Sequence, residues 1–165
     1  MANIIMGHRM NEQFRTFVEG LHPKFEKLMT MEPVVDGRLP KIMPGSGIYL
    51  FSEGDKHLYI GRTRNLRRRY SQHCRPSSKH NQAPFAFKLA KKALGIGKAS
   101  YKPGEGSRIG LSENAEFALA FSQALARIRA MEFRFVEEAD PTAQCLLEVY
   151  ASVALMTPHN DFETS

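Results

Sequence analysis

The sequence predicts a single α+β domain, and three observations carry that expectation. Two apolar segments flank a turn in GIYLFSEGDKHLYIG, Gly47 to Gly61. A third alternating segment, MEFRFVE, begins at Met131. Around them, apolar residues recur every three or four positions, the spacing of amphipathic helices. At 165 residues the chain can bury a core without staples, and 42% hydrophobic with 24% charged residues is the balance of an ordinary globule.

The elements follow in order. In NEQFRTFVEGLHPKFEKLM, Phe14, Phe17, Val18, Leu21, Phe25 and Leu28 form a helical stripe that Gly20 and Pro23 are expected to kink or split. Residues 32 to 46 hold three prolines and two glycines and read as a connector. After the hairpin, TRNLRRRYSQH suits a helix capped by Thr63 or Asn65, and RPSSKHNQAP a loop. A short basic helix, APFAFKLAKKAL, comes next, then the glycine-rich loop GIGKASYKPGEGSRIG. Ser112 is the expected cap of a helix running to about Ala130, with Glu113 and Glu116 in its first turn and Phe117, Phe121, Ala124 and Ile128 along its apolar face. Asp140 and Pro141 open a last helix that runs to about Met156.

Composition bounds the function. No apolar run approaches the roughly 18 to 20 residues of a membrane span, and the opening MANIIMGHRM lacks the layout of a signal peptide, so a cytoplasmic protein with no membrane partner is expected. Cys74 and Cys145 are too few for a disulfide framework or a cysteine zinc site and read as unpaired thiols. The formal charge of +6 is unevenly spread: thirteen Lys or Arg and no Asp or Glu fall between Lys56 and Gly104, leaving ten basic residues against all 17 acidic ones elsewhere. A solubility face usually mixes both signs, so this segment points to a polyanion partner. A phosphate-cradling glycine loop or a nucleophile triad, which a small-molecule enzyme would need, is not found.

The hairpin is written almost as a palindrome. With a five-residue turn, Ser52 to Lys56, Phe51 would face His57, and Gly47, Ile48 and Tyr49 would face Gly61, Ile60 and Tyr59. Ile48, Leu50, Leu58 and Ile60 would then share a core face, with the two tyrosines side by side on the other. Such a pair either packs or shares a hydrogen bond that neighbouring cations could exploit. Those cations follow at once: on a helix from about Asn65, Arg69 and His73 stand four apart on one face. Arg64, Arg67 and Arg68 cannot all share that face and read as phosphate-positioning or solvated residues. In CLLEVYASVALM, Glu148 is the one acid in an apolar helix. A buried carboxylate is costly unless a cation or a metal meets it, and a lone Glu suits Mg²⁺, which keeps most of its waters. A salt bridge to one of the many arginines is the competing reading. Phe85 and Phe87 either stack on bases or belong to the core, the commoner use of aromatics at that spacing.

Together, "GIY" at Gly47 to Tyr49, "YIG" at Tyr59 to Gly61, Arg69, His73, Glu148 and Asn160 resemble the GIY-YIG nuclease superfamily, which includes homing endonucleases, the incision subunit of nucleotide excision repair and some restriction enzymes. The resemblance implies a small three-stranded antiparallel sheet flanked by helices. This chain would add an N-terminal helical extension (1–40) and a basic insertion (76–112) to a hairpin with its Arg-rich helix (41–75) and a C-terminal part (113–165) carrying helix, third strand, Glu helix and tail. It also implies an Mg²⁺-dependent DNA endonuclease, with Mn²⁺ as a substitute ion, most similar to the stand-alone, restriction-type members. Glu148 would hold the metal, Arg69 and Arg62 would stabilise transition-state charge, and Tyr59, hydrogen-bonded to Tyr49, would take a proton from water. That last role requires Arg62, Arg69 and the metal to depress a phenol pKa. The choice of tyrosine stays open; His73 would orient the water or accept its proton, and Asn160 would brace the site. Lys88, Lys91 and Lys92 on the basic helix join Arg64, Arg67 and Arg68 as DNA-binding candidates, and a homodimer is one route to cutting both strands. The alternative is a catalytically inactive nucleic-acid-binding protein on the same scaffold.

Overall fold

A computed structural model describes residues 9–97 and 104–162. Its centre is a three-stranded antiparallel sheet of β1 (Gly47–Glu53), β2 (Lys56–Thr63) and β3 (Glu132–Glu137), in the order β2-β1-β3. Among the described residues six helices surround it: α1 (Glu12–Thr30), α2 (Leu66–Cys74), α3 (Pro84–Ala93), α4 (Arg108–Glu113), α5 (Ala115–Ala130) and α6 (Pro141–Leu155). This is the α+β architecture expected. No helix among the described residues is long and apolar enough to cross a membrane.

Strand alternation sorts the core. Even-numbered residues of β1, Ile48 and Leu50, join Ile60, Val136, Leu28 of α1 and Leu147 and Ala151 of α6. Odd-numbered ones, Tyr49 and Phe51, face α2, α3 and α5 in an aromatic cluster with Tyr70, Phe85 and Phe133. Because β1 is central, both of its faces are buried. The sheet edges are covered as well: Val34 exchanges two 2.8 Å backbone hydrogen bonds with Phe133 of β3, and His159 N–H donates to the Leu58 carbonyl of β2 at 3.3 Å.

Several local expectations change. Helix α1 runs unbroken through Pro23, since one missing N–H is tolerated where tertiary packing holds both halves. Asn114, not Ser112, caps α5: its Oδ1 accepts from Phe117 N–H at 3.0 Å, while the Ser112 hydroxyl donates to the Ile109 carbonyl. The segment read as a basic insertion contains α3, whose Phe85, Ala86 and Leu89 are core; Phe85 is fully buried and Phe87 packs against Phe117. The glycine-rich loop lies partly outside the described residues. Cys74 is buried and Cys145 exposed, both unpaired.

The hairpin register is the main correction. Its turn is two residues, Gly54-Asp55, closed by Glu53↔Lys56, and Gly54 sits at φ +57 where glycine is favoured. A bulge then leaves Leu58 without a partner and shifts the ladder, so that Phe51 faces Tyr59 and Tyr49 faces Gly61. Leu58 consequently joins the aromatic cluster rather than the Ile48 face. Tyr49 and Tyr59 remain on one face as diagonal neighbours, ring centroids 6.4 Å apart.

This register explains both glycines of the palindrome by occupied space. A Cβ on Gly61 would lie 2.2 Å from the Tyr49 hydroxyl oxygen, and one on Gly47 would lie 2.0 Å from the Val136 carbonyl oxygen. Gly61→Ala should therefore destabilise the protein by about 1–3 kcal/mol, the usual cost of overpacking. Gly20→Ala, with nothing within 4 Å on an exposed turn of α1, should stabilise it by up to about 1 kcal/mol. Urea unfolding of the two variants checks this; equal effects would refute the packed-glycine account.

Candidate active site

Four elements deliver the sequence-predicted residues to one place. β1 supplies Tyr49, β2 supplies Tyr59 and Arg62, α2 supplies Arg69 and His73, and α6 supplies Glu148. Helix α2 is started by Asn65, whose Oδ1 accepts from Arg68 N–H at 2.9 Å. That start sets Arg69 and His73 one turn apart, and both reach the same oxygen. Arg69 Nε donates to the Tyr49 hydroxyl at 3.1 Å, and His73 Nε2 lies 2.9 Å from it. Arg69 is held further by its Nη1, which donates to Gln72 Oε1 at 3.2 Å and to the Gln82 carbonyl at 3.1 Å.

Burial separates the two tyrosines. Tyr49 is 1% exposed, whereas Tyr59 keeps some surface and stacks on Phe85 at 4.7 Å, the planes 8° apart. Burial raises the pKa of both phenols above the ordinary value; around Tyr59, Arg69 opposes the rise and Glu148 adds to it. The depression expected from Arg62 and Arg69 is therefore outweighed in the protein itself. Arg62 is also otherwise engaged, its Nε donating to Glu148 Oε2 at 2.9 Å. The Glu148 pKa is raised by burial, an effect the Arg62 contact works against.

His73 is fully buried, so it has no surface to offer a water or a substrate, and the expectation that it orients the water or takes its proton gives way to a structural role at Tyr49. Its Nδ1 has no hydrogen-bond partner. An orphaned buried N–H is the rarer and costlier defect, which favours the tautomer with the proton on Nε2, donated to Tyr49. Tyr49 then accepts from both Arg69 and His73, and its hydroxyl acts on the neighbouring Tyr59 in the direction of the phenolate, against the larger effect of burial.

Asn160 meets β2 from the tail. Its Oδ1 accepts from Ile60 N–H and its Nδ2 donates to the Ile60 carbonyl, both at 2.8 Å, so one side-chain amide pairs with the strand edge between Tyr59 and Gly61. The remaining cations divide. Arg62, Arg64, Arg68 and Arg69 line an acid-free cleft of about 410 Å³. Arg67 turns away and donates to the Pro40 and Lys41 carbonyls. Lys88 is half-buried and clamps the tail, its Nζ donating to the His159 carbonyl at 2.8 Å; Lys91 and Lys92 lie farther along α3, Lys92 exposed. Sequence reasoning missed Gln72 and Gln82, which fix Arg69, and the stacking of Phe85 on Tyr59. No residue pattern announces a backbone carbonyl as a ligand, whereas Phe85 was visible as an apolar position.

The buried neutral histidine gives a pH signature. Burial first and Arg69 second hold the His73 pKa well below its ordinary value. Below about pH 6.5 the unfolded chain takes up a proton that the fold refuses. The stabilisation is therefore complete above that pH and is lost on acidification, by up to about 1.4 kcal/mol per pH unit. His73→Gln should flatten the slope of unfolding free energy between about pH 6.5 and 5 by one proton, read from urea titrations at stepped pH. An unchanged slope would mean that His73 titrates normally.

Comparison with known proteins fits this geometry. Residues 45–98 match the family model of the GIY-YIG catalytic domain, a stretch that holds both hairpin strands, Arg69, His73 and α3. Glu148 and Asn160 lie beyond the match and are brought to it by α6 and the tail. No curated protein and no solved structure matches the chain. Over residues 45–98 the chain is therefore similar to the catalytic domain of the GIY-YIG nucleases, and both hairpin strands of the three-stranded antiparallel sheet lie in that match.

Proposed function

We propose that the chain is a divalent-metal-dependent DNA endonuclease in which Tyr59 is the general base and Tyr49 its positioning partner. The observation that carries this reading is the convergence of Tyr49, Tyr59, Arg69 and Glu148 beside an arginine-lined cleft without a carboxylate. Tyr59 is the tyrosine with surface available to a water; Tyr49 is sealed and presents only its hydroxyl to its neighbours.

Glu148 is partly buried, and of its two oxygens Oε2 takes the Arg62 hydrogen bond while Oε1 accepts none among the described residues. The described residues form no group of three or more His, Cys, Asp or Glu, so the protein would give one carboxylate, which suits an ion that retains waters and binds substrate oxygens. Mg²⁺ fits, with Mn²⁺ as an alternative. A divalent ion there supplies Lewis-acid stabilisation of the leaving oxygen.

The protein's own part is clear in outline. Arg69, fixed by Tyr49, Gln72 and Gln82, presents a pre-oriented positive charge to a phosphate in the cleft, where charge accumulates in the transition state. Arg62 links the cleft to Glu148 and can turn to the phosphate when its carboxylate partner is drawn away. Tyr59, as its phenolate, would accept the proton of the attacking water and become the neutral phenol, and the neighbouring Tyr49 hydroxyl works in favour of that phenolate beforehand. The burial that raises the Tyr59 pKa makes the resting phenol neutral, so proton acceptance depends on added positive charge at Glu148 and on the Arg69 field. One such site cuts one strand at a time, so nicks are the expected first product.

Cleavage of matched single-stranded, duplex and branched DNA with Mg²⁺, resolved on denaturing gels, tests the reading. Glu148→Gln, Arg69→Ala and Tyr59→Phe should each reduce the rate by about 10²-fold or more, and chelation should abolish it. Undiminished activity in Glu148→Gln would end the one-metal assignment. Salt-sensitive binding by the parent without any metal-dependent product would favour a binding protein on a nuclease scaffold.

A further inference from the structure

The cations of the acid-free segment do not stop at the cleft. Arg69 donates through Nη1 to the Gln82 carbonyl, and Gln82 in turn accepts, through Oε1, the backbone N–H of Lys79 at 2.9 Å. This ties the loop between α2 and α3 to the wall of the cleft and places exposed Lys79 on that loop. The same loop receives a second cation: Arg108, at the start of α4, donates to the His80 carbonyl. The Arg108 guanidinium also sits over the Phe87 ring, 4.2 Å from its centroid. One helical turn beyond Phe87 on α3 stands Lys91. The contacts therefore join Arg69, Lys79, Arg108 and Lys91 into one run.

Neighbouring cations are unfavourable unless something negative meets them, and among the described residues no ion pair joins Lys79, Lys91 or Arg108 to a carboxylate. Burial first and Arg108 second lower the Lys91 pKa, and burial, then Arg108 and Lys79, lower that of His80. Lys88, beside the run, feels Asp161 as its favourable carboxylate and is already committed to the His159 carbonyl. Arg108, although exposed, is held in place by an aromatic ring and a backbone carbonyl, so it loses little freedom when it meets a ligand. A pre-positioned row of cations continuing from a phosphate site fits a chain of regularly spaced anions.

We infer that the loop between α2 and α3, with Lys79, Arg108 and Lys91, forms a second phosphate track along which the nucleic-acid backbone leaves the catalytic cleft. This inference rests on the nuclease reading above and adds to it the side of the molecule that the strand covers. It also replaces Lys88 as a DNA contact, since that lysine braces the tail.

The test uses the full chain with Glu148→Gln, in chelator, so that binding is read without cutting. The probes are a fluorescent 30-base-pair duplex and its single strand, titrated at stepped salt concentrations. Each phosphate contact contributes about 0.9 to the slope of log affinity against log salt for a duplex and about 0.7 for a single strand. The triple variant Lys79→Ala/Arg108→Ala/Lys91→Ala should lower the slope by about two to three on at least one probe. Because Arg108 also holds the loop, the double variant Lys79→Ala/Lys91→Ala serves as a second reading and should lower it by about one to two. The charge-matched control Arg9→Ala/Arg15→Ala/Lys27→Ala, which removes cations on and just before α1, should leave it unchanged. A slope that persists in both track variants while the parent binds overturns the track alone, as does an equal loss in the control. A parent that binds neither probe overturns the nuclease reading and the track with it.

Discussion

The Tyr49 hydroxyl is where the sheet and the helix that carries the cations are joined. β1 buries that oxygen beneath the aromatic cluster, where an unpaired polar atom costs about 1–3 kcal/mol, and α2 satisfies it from Arg69 and His73. The helical spacing of four makes this possible, since it stacks the two side chains on one face of α2. β2 completes the arrangement by having no side chain opposite: Gly61 leaves the space that the Tyr49 ring fills. The orientation of α2, the register of the hairpin and the aim of Arg69 are thus one constraint rather than three. Exchanging Tyr49 for phenylalanine would leave the buried His73 imidazole without its hydrogen-bond partner.

The same burial shapes the electrostatics of the site. Both phenols and the Glu148 carboxyl are pushed toward their neutral forms, and the cations nearby only partly offset this. Arg69 is tied to Tyr49 and Arg62 to Glu148, so the resting site is a set of satisfied pairs facing an acid-free cleft. Such a site holds its charges in fixed directions before a ligand arrives, and water has little to reorganise when an anion enters. For the base role proposed for Tyr59, it also means that proton transfer would not be a property of the tyrosine alone. Its strength as a base is conditional on what the cleft and Glu148 hold.

Much of this was legible from the chain because periodicity encodes faces. The apolar stripe Phe117, Phe121, Ala124, Ile128 gave α5, the Asp140-Pro141 start gave α6, and the spacing of Arg69 and His73 placed both on one face of α2. The register was not legible. A run of mirrored letters fits a five-residue turn as well as a two-residue turn with a bulge, and packing against α2 and α3, absent from any local pattern, chose the second. The roles of Lys88 and His73 were hidden for a related reason. A lysine on a basic helix looks like an anion contact until the tail is seen beneath it, and a histidine looks reactive until its exposure is found to be zero. Burial is a sum over distant elements, so it cannot be read from neighbours in sequence.

The tail shows why the site extends far beyond the hairpin that first marks it. Tyr59 stands on β2, an edge strand, and the outward N–H and C=O of such a strand are free to fray or to recruit another chain. Met156 adopts a left-handed backbone, φ 50, at the end of α6 and turns the chain back toward β2. Thr157 is then held by Ser152 and Asn160, and Asn160 closes both backbone groups of Ile60, the residue next to Tyr59. Lys88 secures the tail from the other side through the His159 carbonyl. An edge strand fixed in this way can present a partly exposed phenol without the looseness that its position in the sheet would otherwise allow. The helix that delivers Glu148 and the amide that steadies Tyr59 therefore belong to one stretch of chain, and the two halves of the site hold each other in place through β2.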